Sequence, residues 1–114
     1  MKFENQELAL VIKALEKAVC SRVVAYDLSP ITPFFDYSVV CSVNNARQGS
    51  AAVNYLKEEA LKNGWLIKGI ADSSDSKWFL IDLNNIIVHV FVGDERERFN
   101  LDGLYYHLER REFS

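Results

Sequence analysis

The sequence predicts an α/β fold, a single mixed β-sheet of about five strands with flanking helices. Three observations carry that expectation. Two stretches repeat apolar residues at helical spacing, several short runs are rich in β-branched and aromatic residues, and turn-forming residues separate them. With 114 residues the chain fits one domain over residues 1–114, long enough to bury a core without disulfide or metal staples. Hydrophobic residues make up 49% and charged residues 25%, which excludes a disordered or fibrous chain.

Leu8, Val11, Ile12, Leu15 and Val19 fall on one helical stripe, with Lys13, Glu16 and Lys17 facing away and Asn5 as the cap. Arg22–Leu28 reads as a buried strand stopped by Ser29-Pro30. An irregular link through Pro33 leads to a second β-rich run, Tyr37–Val43. Asn44-Asn45 opens a helix over Ala46–Asn63, with Gly49, Ala52, Val53, Leu56 and Ala60 inward and Lys57, Glu58, Glu59 and Lys62 in solvent. Gly64 stops it, since glycine takes the left-handed conformation cheaply. Trp65–Ile70 follows as a third strand, and strand, helix and returning strand favour a parallel crossover.

The clearest local signal comes next. Lys77–Leu83 and Ile86–Val92 flank Asn84-Asn85, and asparagine tolerates the positive φ that a tight hairpin turn needs. With those two residues as the loop, Leu83 pairs with Ile86, Ile81 with Val88 and Phe79 with Val90, an apolar face. The other face sets Trp78 opposite Phe91, Leu80 opposite His89 and Asp82 opposite Ile87. A slip of one residue would exchange the faces. Asn100 caps a last short helix, Leu101–Arg110.

The mixed hairpin face draws the functional expectation. A patch of Trp, Phe and Leu left open on a small domain marks an interaction site; the competing reading covers it with a helix and bonds His89 inside. Catalytic signals are sparse. Only His89 and His107 are available as imidazole bases, and GxSxG, P-loop, GxGxxG and HExxH patterns are absent. Asp27, Asp36 and Asp82 form the one conceivable carboxylate set for a magnesium-dependent enzyme, but without a DxD pair they read better as turn or cap acceptors. No metal or cofactor is expected. Glu95-Arg96-Glu97-Arg98 reads as a solvated charged stretch from which the planar fork of Arg96 can reach a partner.

The net charge of −3 argues against DNA or RNA binding through phosphates and suits a basic protein partner. Cys20 and Cys41 lie in apolar surroundings as reduced core thiols, without zinc-site spacing. Neither a targeting segment nor an apolar run long enough for a membrane helix is present, so a cytoplasmic protein is expected.

Three stretches carry a family resemblance. VVAYDLSPITPFFDYSVVCS, WFLIDLNNIIVHVF and RERFNLDGLY resemble, in order and spacing, the segments of the ribosomal silencing factor (Iojap) family, the Trp-to-VHVF block being the most specific. Asn85 stands where the family's hairpin turn usually holds glycine, and Tyr105 where it usually holds tryptophan. The resemblance implies a nucleotidyltransferase-like fold without that superfamily's catalytic residues. It implies a protein that binds the large ribosomal subunit through its fourteenth protein, blocks joining of the small subunit and represses translation when nutrients are scarce. Trp78, Leu80, His89, Phe91 and Arg96 are the matching residues, expected to make the contact region or its immediate support. A homodimer through the same exposed face is a further possibility.

Overall fold

The computed structural model describes residues 2–73 and 75–113. Helix α1 (Gln6–Lys17) begins where the Asn5 side chain accepts the Leu8 N–H at 3.0 Å, and its stripe of Leu8, Val11, Ile12 and Leu15 is buried. The stripe ends earlier than its spacing predicts. Val19 lies past the helix at φ 59° and is exposed, while Ala18 and Cys20 turn inward in its place. Strands β1 (Ser21–Asp27) and β2 (Tyr37–Val43) pair antiparallel, with a register shift between Ser21 and Val24. Helix α2 (Ala46–Asn63) is capped by Asn45 and closed by Gly64 at φ 70°. Its buried face is the expected one with Glu59 added, whose carboxylate is met by Asn63 at 3.2 Å and Lys62 at 3.8 Å.

The third strand, β3, is Gly69–Asp72 and not Trp65–Ile70. The Trp65 N–H closes the end of α2 on the Ala60 carbonyl at 2.9 Å, and Trp65 and Ile67 pack on the core edge. Chain direction therefore turns before pairing starts. Strands β4 (Trp78–Asp82) and β5 (Ile86–Val92) form the hairpin in the expected register, Trp78 facing Phe91 and Leu80 facing His89. Asn84 takes the positive φ, at 77°.

The sheet has six strands in the order β3-β4-β5-β2-β1-β6. The crossover through α2 is parallel in sense, because β5 runs parallel to β2 and two antiparallel steps then lead to β3. The expected C-terminal helix is replaced by two short turns and a strand. Helix α3 (Glu95–Phe99) and α4 (Leu101–Leu104) meet at Asn100, and β6 (Arg110–Glu112) closes the edge of β1. An unpaired strand edge next to a returning chain end recruits that end. Helices α1 and α2 cover one sheet face, where Val39, Cys41, Ile81, Val88 and Val90 complete the main core. Both cysteines are buried and free.

Candidate partner-binding face

The opposite sheet face has a smaller core of Val24, Tyr26, Leu28, Val40, Phe91 and Leu108. Leu101 and Tyr105 of the C-terminal segment, with Phe35 and Ile87, pack over it. That cover reaches β1, β2 and β5 and, through Phe99, the Trp78 end of β4. Trp78 and Leu80 are half-buried, lining with Ala71, Asp72 and Ser73 an apolar cavity of about 220 Å³. The covered and open readings of this face are therefore each right for part of it.

Trp78 is held on every side but one. Its indole N–H donates to His89 Nδ1 at 3.2 Å, and its ring lies 5.5 Å from Phe91 and 4.5 Å from Phe99 between centroids. Its backbone N–H donates to Ser73 Oγ at 3.1 Å, while Ser73 N–H returns a bond to the Trp78 carbonyl at 2.9 Å. An indole can only donate, so Nδ1 of His89 must be unprotonated. Burial supplies that condition by pushing the His89 imidazole down to about 4. His89 and Phe91 are themselves buried.

Arg96 is the largest departure from expectation. The Glu95-Arg96-Glu97-Arg98 stretch is not a solvated run but helix α3, with Glu95 buried and Arg96 only 2% exposed. The guanidinium donates to both carboxylate oxygens of Asp102 at 2.8 and 3.0 Å, to the Arg22 carbonyl at 2.6 Å and to Ser42 Oγ at 3.1 Å. A buried arginine must be paired, and this one is paired in the bidentate geometry that its fork favours. Arg22 presents its carbonyl from the β1 irregularity, at φ 51°. Tyr26 donates its hydroxyl to Asp102 at 2.5 Å, and burial together with that bond raises its phenol above the ordinary range. Burial works to raise the Asp102 carboxyl, but the bonds from Arg96 and Tyr26 prevail and hold it below its usual value.

Two aspartates of the enzyme alternative serve the backbone. Asp27 accepts the Ser29 N–H at 3.0 Å and pairs with Lys2 at 3.4 Å, and Asp82 accepts the Asn84 N–H at 2.9 Å. Asp36 is exposed and shares a polar cavity with Asp27 and Lys2. Among the described residues no group of three or more His, Cys, Asp or Glu is placed to hold a metal ion.

A family model described as ribosomal silencing factor during starvation matches residues 2–114. The chain belongs to this family. Ribosomal silencing factor RsfS of Halalkalibacterium halodurans is 35% identical over 102 residues, covering 89% of this chain and 87% of the relative. The Bacillus subtilis protein of the same name is 31% identical over 98 residues, 86% of this chain and 83% of its own. A solved structure from Bacillus halodurans superposes with a TM-score of 0.82 at 34% identity, over 96% of this chain and all of that one. One from Chromobacterium violaceum gives 0.83 at 25% identity, over 89% and 84%. Ribosomal silencing factors are named for a regulatory role rather than for a catalysed reaction.

Of the residues singled out from the sequence, the fold brings Trp78, Leu80, His89 and Phe91 together on one face and places Arg96 behind it. Sequence reasoning missed Phe99, Tyr26 and Asp102 as members of this assembly. Phe99 carried a signal, a lone aromatic in a charged stretch; the Tyr26–Asp102 bond joins residues 76 positions apart and carried none.

Proposed function

We propose that this protein silences ribosomes by docking on the large subunit, through its fourteenth protein, and sterically excluding the small subunit. One observation supports this most. In a chain of the ribosomal silencing factor family, the side chain fixed most elaborately at the edge of this sheet face is the half-buried Trp78. A tryptophan whose orientation is settled before binding loses little entropy on docking, and tryptophan is a frequent anchor of interfaces. Leu80 and the cavity beside it extend the apolar centre, while Asp75, exposed in the turn before β4, gives an acidic edge for a basic ribosomal protein. His89 and Phe91 act from beneath, by holding the indole.

No chemistry is required for such a mechanism. Occupying the surface where the subunits meet suffices, and the effect scales with affinity. Sucrose-gradient sedimentation with purified subunits tests it. The protein is expected to comigrate with large subunits and to reduce the joined-ribosome peak; protein remaining at the top of the gradient sinks the reading. Trp78→Ala is expected to weaken comigration by roughly tenfold or more while the thermal transition persists. Wild-type comigration of that variant would remove Trp78 from the interface.

A further inference from the structure

We propose that Phe99 is a second contact residue of the docking face, held beside Trp78 by Arg96, which is a positioning residue and not a contact; this rests on the docking reading above. Phe99 is the last residue of α3 and is 51% exposed, although its ring lies 4.5 Å from Trp78 and 5.9 Å from Phe91. The two partly exposed rings therefore form one continuous aromatic surface, and apolar surface of that kind at the edge of a covered core marks a contact region. A five-residue helix has no independent stability, so its placement must come from elsewhere.

Arg96 supplies the placement. One turn before Phe99, its buried guanidinium ties α3 to the Arg22 carbonyl and Ser42 of the sheet and to Asp102 of α4. On the outer side Arg22 returns an ion pair to Glu97 at 2.6 Å. Asn100, at φ 55°, then ends the helix and its side chain accepts the Gly103 N–H at 3.2 Å. The short helix is pinned from both flanks, and Phe99 is carried to the indole as a consequence. The occupant that fits is the basic surface of a ribosomal protein. Asp75 lies exposed in the turn that leads into β4 and Trp78, and the whole chain has a net charge of −3.

Purified large ribosomal subunits are the probe, in a Trp65→Phe background so that Trp78 is the sole reporting tryptophan of the two in the chain. Phe99→Ala is expected to lower affinity by roughly tenfold or more with little change in the unfolding midpoint, and Phe99→Tyr to restore binding. Arg96→Lys keeps the charge but loses the fork. It is expected to stay folded by circular dichroism, to shift Trp78 emission to longer wavelength and to weaken binding. Phe99→Ala that binds like the background, while Trp78→Ala does not, overturns this inference and leaves the docking reading standing. Full binding by Trp78→Ala and Phe99→Ala together overturns both. Weakened binding by Arg96→Lys with unmoved emission refutes the positioning role, since a contact would be lost without any change around the indole.

Discussion

Lowering the pH perturbs one group at the centre of the candidate site, and its effect on stability can be worked out. His89 is buried in β5, and burial pushes its imidazole from the ordinary 6.5 down to about 4. The folded protein takes up this proton near pH 4, whereas the unfolded chain takes it up near 6.5. Between those values the unfolded chain binds more protons, so stability falls as pH drops through the window and is flat with respect to this group above it. The whole window corresponds to roughly 3 kcal/mol, of which roughly 2 kcal/mol is lost between pH 7 and pH 4.5. Protonation also removes the acceptor for the Trp78 indole N–H, so the same titration should move Trp78 emission in the Trp65→Phe background. Urea unfolding at pH 7 and pH 4.5 measures the stability change. His89→Asn keeps an acceptor for the indole but cannot titrate, and it is expected to flatten the pH dependence. A variant with the wild-type slope would refute the assignment, because the lost stability would then belong to carboxylates common to both proteins.

Two predictions concern the framework beneath the site. A Cβ added at Gly49 would lie 2.4 Å from Phe79 Cε2 and 2.6 Å from Cδ2, in a ring packed under α2. Gly49→Ala gains about 1 kcal/mol of helix propensity but overpacks the core, so a net loss of about 1 kcal/mol is expected, read as a lower urea midpoint with unchanged slope. A raised midpoint would show that Phe79 yields freely. Asn84 holds the positive φ of the hairpin, at 77°. Asn84→Val is expected to lower stability by roughly 1–2 kcal/mol and Asn84→Gly to leave it nearly unchanged; equal thermal transitions for the two variants would remove the turn from the account.

The resemblance and the fold class were legible because they rest on local patterns. The two long helices, the hairpin register and the Trp78–Phe91 block are written in neighbouring residues, where spacing, caps and turn residues act within a few positions. The errors fall where the chain is short of such signals. Val19 continues the spacing of α1 yet lies outside it, because it takes the left-handed φ of 59° in the closing turn, where its N–H and that of Cys20 bond back to Glu16 and Leu15. The apolar run after Gly64 has a strand's composition, but closing the α2 terminus and packing its edge satisfy it without pairing.

By itself the sequence determined the mixed α/β architecture, the hairpin with Trp78, Leu80, His89 and Phe91 on one face, and membership of the ribosomal silencing factor family. Only the tertiary structure decided which of those residues reach the surface. It buried Arg96 in a stretch that reads as solvated, because Asp102, Ser42 and a backbone carbonyl freed by the irregular start of β1 meet there in space. It also set Phe99 on Trp78 and left a cavity open beside Leu80 at that edge of the sheet. Burial and pairing over such distances depend on where the chain returns, and spacing along the sequence carries no record of that.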